Sequence, residues 1–186
     1  VSLAGTAAYD GLSHLPGLVA AAVRQANALG FEHSCRPEQG RLLKVLAAGR
    51  RGGVIGETGT GCGVGLGWMA SEADPDTTLV SVEIDEARAG AAASVFSGHP
   101  NITVLQADWT ALLEHAPFDL LVLDGGNAGK GGDAATGIDQ LLNFGGTVVI
   151  DDFTPATEWP PMYEGEPDRS RLQWFEHPAL LATEVR

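Results

Sequence analysis

Val54-Ile55-Gly56-Glu57-Thr58-Gly59-Thr60-Gly61-Cys62-Gly63-Val64-Gly65 decides how the chain is read. An apolar run ends on a carboxylate, glycines then alternate, and a helical pattern follows. Glycine opens backbone conformations closed to other residues and lets a ligand approach the main chain. A helix starting just past such a turn presents unpaired N–H groups to something electron-rich. The dinucleotide fingerprint G-x-G-x-x-G is not supplied after the strand, because Val64 follows Gly61 by three residues and Leu66 follows Gly63 by three. The one G-x-G-x-x-A match, Gly65 to Ala70, falls inside the expected helix. Glu57 would repel a pyrophosphate at short range, whereas an ammonium or sulfonium beside a nucleoside would be attracted. No Gly-Lys-Ser/Thr follows the glycines, so the P-loop pattern is absent.

Outward from that stretch the pattern alternates. Strands are expected near 53–57, 78–83, 102–107, 118–124 and 146–151, with helices at 64–73, 86–97, 109–115 and 134–144. Such alternation predicts βαβ units and a parallel, doubly wound α/β sheet with helices on both faces. Ligands in these sheets sit beyond the carboxyl ends of the strands, at the switch point beside the first one. Glu57, Glu83, Asp108, Asp124, Asp151 and Asp152 all fall at those ends, which argues for one composite site.

Upstream, residues 1–14 lack periodicity and read as a loose arm. Pro16 opens a helix that Gly30 stops, 31–36 is a polar connection, and Pro37-Glu38 starts a second helix. Downstream, 153–168 is a long Pro- and aromatic-containing loop, of a length that is usually functional or disordered. Arg171 to Glu176 reads as helical turns and Leu180 to Val185 as a last strand. One domain over 1–186 is expected: a helical cap (1–50), a ligand-binding core (51–152), then the loop as a lid and the last strand (153–186).

Eleven Lys and Arg against 24 Asp and Glu leave a formal net charge of −13. Phosphate recognition needs clustered cations, so no nucleic-acid partner is expected. No apolar run approaches the roughly 20 residues of a membrane span, so no membrane partner is expected either. No basic-then-apolar leader opens the sequence, and a cytoplasmic protein is the expectation. Cys35 and Cys62 lack metal-ligand spacing and read as reduced thiols.

Several of these segments together carry a family resemblance. Glu57-x-Gly59-x-Gly61-x-Gly63 resembles motif I of the class I S-adenosylmethionine-dependent methyltransferases. Val80-Ser81-Val82-Glu83-Ile84-Asp85, Leu105-Gln106-Ala107-Asp108-Trp109, Phe118 to Gly126 and Gly145 to Asp152 follow in order. The set is similar to the small bacterial O-methyltransferases related to catechol O-methyltransferase and spans roughly Pro37 to Asp152. The resemblance implies methyl transfer from S-adenosylmethionine to a hydroxyl of a small-molecule acceptor, leaving S-adenosylhomocysteine. Glu57 and the loop residues Gly59, Thr60, Gly61 and Gly63 would hold the methionyl end, with the loop amides on its carboxylate and Glu57 on its ammonium. Glu83, ending the second strand, can accept from both ribose hydroxyls. Asp108 would accept from the adenine amino group and Trp109 flank the ring; the alternatives are an N-cap for Asp108 and core packing for Trp109.

In the catechol-type enzymes the ends of the fourth and fifth strands supply oxygen ligands to a divalent metal. Here Asp124, Asp151 and Asp152 would hold Mg²⁺ or another hard ion; the alternative is that Asp124 borders the cofactor and the other two start a loop. The sequence departs from the family where Ala-Asp-Lys commonly follows the first aspartate. Gly125-Gly126-Asn127 stands there, so the base cannot be carried over. Asp124 and Lys130 are the expected catalytic residues, with His33 and His14 as other bases. A non-catalytic S-adenosylmethionine-binding protein and a nicotinamide-dependent oxidoreductase are the alternatives. The family usually closes its sheet with an antiparallel hairpin whose last strand is not found in this sequence; either the sequence is shortened or a partner covers that edge, as a homodimer would.

Overall fold

Apolar segments too continuous for a one-sided sheet set the architecture. Val54–Thr58 (β1), Thr78–Glu83 (β2), Ile102–Gln106 (β3), Phe118–Leu123 (β4) and Leu142–Ile150 (β5) pair in the order β3-β2-β1-β4-β5. Every pairing is parallel. Side chains alternate along a strand, so Leu79, Leu120 and Val122 enter one core, while Val80, Val82, Leu121 and Leu123 enter the other. The computed structural model describes residues 4–125, 137–151, 153 and 156–185.

Gly17–Leu29 (α1), Pro37–Ala48 (α2) and Val64–Ala70 (α3) cover the first face; Gly30, with φ 65°, ends α1 in a left-handed turn. The helices lie close because small residues meet large ones. A Cβ on Gly40 of α2 would overlap the Trp68 indole of α3, and one on Gly67 would press the backbone of Val19 in α1. Glu86–Phe96 (α4) follows β2, and Asp85 caps it by accepting from Arg88 N–H at 2.9 Å. The segment Trp109–His115 after β3 is a 3-10 helix.

Four expectations change. The 1–14 arm is not loose: Thr6–Tyr9 forms a 3-10 turn, and the buried Tyr9 hydroxyl donates to the Cys35 carbonyl (2.7 Å) while accepting from Trp68 Nε1 (2.8 Å). Two tertiary bonds supply what the local sequence lacks. The expected 134–144 helix is a single turn over the described residues, Ile138–Leu141 (α5), and β5 begins at Leu142 rather than near 146. Four residues of β5, Asn143 to Gly146, lie opposite the single Asp119 of β4 between the Phe118–Leu142 and Leu120–Thr147 pairs. This bulge turns on Gly145 (φ 80°) and leaves Phe144 fully exposed.

Leu180–Val185 forms no strand and pairs with none of the described strands. Leu181 and Val185 project into solvent, and the tail is tied instead by Glu184 to Arg171 at 3.2 Å. The antiparallel pairing that does form, Met162–Tyr163 (β6) with Glu166–Pro167 (β7), is a separate two-stranded sheet. Helix α6, Arg169–Phe175, follows it and buries Leu172 and Trp174.

Candidate active site

The sheet's order reverses between β1 and β4, and a cleft of about 370 Å³ opens over their carboxyl ends. That volume is within the roughly 300–1,000 Å³ usual for small-ligand sites. Strand ends place Glu57, Glu83, Asp108 and Asp124 on its wall, and Gly59, Thr60, Gly61 and Trp109 join them. Gly63 does not line it; with φ 92° it caps α3, and a Cβ there would lie 2.8 Å from the Phe96 ring.

The glycine loop is shaped by its own chain. Gly59 and Thr60 N–H donate to the Val82 carbonyl, Gly61 N–H to Glu83 Oε2 and Gly63 N–H to the Thr60 carbonyl. The expectation that these amides cradle a carboxylate is therefore corrected: those four donors are already committed. What glycine supplies is closeness. At Gly59, φ is 79° and a Cβ would overlap the Asp124 carbonyl oxygen, so β1 and β4 meet there backbone to backbone.

Glu57 is 2% exposed at the cleft floor, where a Cβ on Gly65 would lie 2.6 Å from its Oε1. Its Oε2 accepts from Ser81 Oγ at 2.6 Å; Ser81 in turn sits 2.5 Å from Thr60 Oγ1, which must donate to it. Burial pushes its pKa up to about 8, with the Ser81 bond opposing and the charges of Asp124 and Glu83 adding to the rise. Without a ligand the carboxyl is thus mainly protonated at neutral pH, not the standing anion the sequence suggested. A ligand ammonium would restore the charge.

Glu83 ends β2 almost wholly buried. Its Oε1 accepts from Asp85 N–H (3.0 Å) and Arg88 Nη2 (2.8 Å), and its Oε2 from Gly61 N–H. Asp108 is exposed and caps the following 3-10 helix through Thr110 N–H at 3.0 Å, the bond that chiefly lowers its pKa. It does this while lining the cleft, so the cap does not turn it away from a ligand there. Trp109 is half-buried, packs against the core of the second face and also lines the cleft.

Asp124 and Asp151 stand at the ends of neighbouring strands, through Asp124 N–H to the Thr58 carbonyl (3.2 Å) and Asp151 N–H to the Leu123 carbonyl (3.3 Å). Asp124 lines the cleft; Asp151 does not. Asp152 and Lys130 lie outside the described residues. Among the described residues no three His, Cys, Asp or Glu side chains gather as a metal set. Of the expected trio only Asp124 and Asp151 are among the described residues.

The 31–36 connection, read from sequence as a mere link, forms the facing wall with Phe31, His33, Ser34 and Cys35. Thr6 fastens it: its N–H donates to the Glu32 carbonyl (3.1 Å), its Oγ1 to the Phe31 carbonyl (2.6 Å), and Ser34 Oγ is 2.7 Å away. Burial raises the thiol pKa of both Cys35 and Cys62, the latter to about 11, so neither is a thiolate nucleophile. Arg88 also lines the wall and was missed. Its spacing, five residues past Glu83 and three past Asp85, was the available signal.

Comparison with known proteins agrees with this arrangement. A family model described as a methyltransferase domain matches residues 57–153, just over half of the chain. A Mycobacteroides abscessus protein named "Putative O-methyltransferase" is 34% identical over 140 residues, covering 72% of this chain and 64% of its own length. The O-methyltransferase TomG of Streptomyces achromogenes, solved in complex with SAM, superposes with TM-score 0.62 at 24% identity over 79% of this chain and 70% of its own. The O-methyltransferase from Bacillus cereus, solved with SAH, gives TM-score 0.54 at 23% identity over 70% and 63%. At these identities the structural likeness speaks to the fold. The glycine loop, the acidic strand ends and the family match agree: the chain belongs to the methyltransferase-domain family.

Proposed function

We propose that the protein transfers the S-methyl group of S-adenosylmethionine to a hydroxyl of a small-molecule acceptor. The observation that carries this reading is the convergence of Glu57, Glu83, Asp108 and Asp124 on one cleft at the β1–β4 switch point. Glu83 takes the ribose, Asp108 and Trp109 the adenine, and Glu57 with the surface of Gly59, Thr60 and Gly61 the methionyl end. The O–CH₃ bond forms as the S–CH₃ bond breaks, the sulfonium becomes a neutral thioether, and the acceptor proton leaves to a base. The methyl is already activated, so the protein's task is to align oxygen, carbon and sulfur and to exclude water.

Asp124, at the end of β4, faces the reacting end, and Lys130 is the proposed base. A divalent ion on Asp124, Asp151 and Asp152 is the finer part of the reading; it would ease deprotonation of the acceptor. The acidic surface and the absence of a long apolar helix among the described residues favour a small acceptor over nucleic acid or membrane. A second copy pairing along β5 is the proposed homodimer, read by sedimentation.

Single turnover with radiolabelled S-adenosylmethionine and a panel of phenols and catechols tests the activity. Label appearing in an ether product is expected; tight S-adenosylhomocysteine binding with no transfer to any phenol would leave a cofactor binder and sink the enzyme. Unchanged turnover after exhaustive EDTA treatment would remove the metal and spare the rest. Lys130→Ala at full activity would remove the base assignment.

A further inference from the structure

Four groups at the cleft's edge close a circuit of contacts. Gly61 N–H donates to Glu83 Oε2 at 2.8 Å, and Glu83 Oε1 accepts from Arg88 Nη2 at 2.8 Å. The Arg88 guanidinium lies 5.3 Å from the centre of the Phe31 ring. Phe31 returns to the loop, since a Cβ on Gly61 would be 2.9 Å from its Cε1. The circuit joins the connection before α2, the glycine loop, the tip of β2 and the first turn of α4.

Arg88 is the one side-chain donor among the three that reach Glu83. Two donors to Glu83 are backbone N–H groups, of Gly61 and Asp85, set by the loop and the helix cap. The third is a side chain reaching back one turn, steered by Asp85 Oδ2 at 3.6 Å from Nη1 and by the ring beneath it. Its Nε is buried and finds no acceptor among the described residues, a cost that a purely packing role would not explain. A carboxylate recognises a diol best when its plane is fixed, and a guanidinium bonded to one oxygen helps to fix it.

We propose that Arg88 is a positioning residue for cofactor recognition, holding Glu83 in the rotamer that meets the ribose diol. This rests on the adenosyl reading of the cleft. In this role Arg88 acts on the nucleoside through Glu83 rather than by a contact of its own. Its effect therefore passes through the ribose hydroxyls and through Glu83.

Calorimetric titration with S-adenosylhomocysteine and with its 2′,3′-dideoxy analogue separates this from a structural role. Arg88→Ala is expected to weaken the natural ligand about tenfold, as loss of a charge-assisted partner would, and to leave the dideoxy analogue unchanged. Arg88→Lys should fall between wild type and Arg88→Ala for the natural ligand, because an ammonium reaches Oε1 but lacks the fork that also meets Asp85; it also carries the test should the alanine variant misfold. Glu83→Gln should weaken the natural ligand selectively too. Equal losses for both ligands in Arg88→Lys, or no loss in either Arg88 variant, would overturn the proposal while Glu83→Gln still upheld the ribose site. Wild type binding neither ligand would overturn the adenosyl reading and this inference with it.

Discussion

Burial makes Glu57 a proton carrier as well as a wall of the cleft. Its folded pKa of about 8 lies above the ordinary 4.5, so between those values the folded chain keeps a proton that the unfolded chain has released. Stability therefore falls as pH rises through that window, and the loss is complete above about 8. Glu57→Gln keeps an acceptor for Ser81 and removes the titration. In parallel melts from pH 5 to 9, the wild type should lose ground steadily to the variant; a constant gap would refute the buried acid. The same proton reports the ligand. If an ammonium settles beside Glu57, S-adenosylhomocysteine uptake near pH 7 should release a fraction of a proton, visible as a binding enthalpy that depends on the buffer's ionisation heat. Release that persists in Glu57→Gln would assign it elsewhere.

At the scale of elements, contacts between backbones decide what can change. Gly59→Ala asks for a Cβ where the Asp124 carbonyl oxygen stands, at a positive φ besides. Separation of β1 from β4 should cost at least about 3 kcal/mol, read as a lowered denaturant midpoint or loss of soluble protein; a near-neutral result would contradict the close crossing. Gly40→Ala strikes the α2–α3 seam, where the Trp68 indole must shift and loosen its bond to Tyr9. Overpacking of this kind costs about 1–3 kcal/mol, and cofactor affinity should follow only so far as the 31–35 wall moves.

These elements also show where the sequence was readable. The acids at the tips of β1, β2 and β4 could be placed from periodicity alone, because parallel strands buried on both faces leave long apolar runs that stop at the site. The Phe31–Cys35 wall could not, since polar residues in a turn reveal nothing until Thr6 and Tyr9 fold back onto them. The early start of β5 was hidden by Asn143 to Gly146, whose bulge breaks the period of two. Leu180 to Val185 had a strand's composition and, among the described residues, no strand to pair with. The reading of loop amides as an anion cradle failed for a related reason, as pattern does not tell which N–H groups the chain itself consumes.

For the whole molecule the dominant quantity is charge. With a formal net charge of −13, the folded chain repels itself over distances that a low-salt buffer leaves unscreened. Raising ionic strength from roughly 0.01 to 0.15 M shortens the Debye length from about 30 to 8 Å, and the melting temperature should rise. Surface pairs such as Lys44–Glu72 at 2.9 Å weaken under the same change, but exposed pairs contribute about 0–1 kcal/mol and cannot reverse the sign. Screening also favours any pairing of two copies along β5, since each carries the same negative charge. Protein concentration separates the two effects. Relief of self-repulsion raises the melting temperature equally at every concentration, whereas edge pairing adds a part that grows with concentration and appears in sedimentation as dimer. A salt response that is flat or negative at all concentrations would mean that the acidic residues are spread so evenly, or so neutralised locally, that net charge does not govern stability. A response independent of concentration would keep the charge argument and discard the β5 dimer.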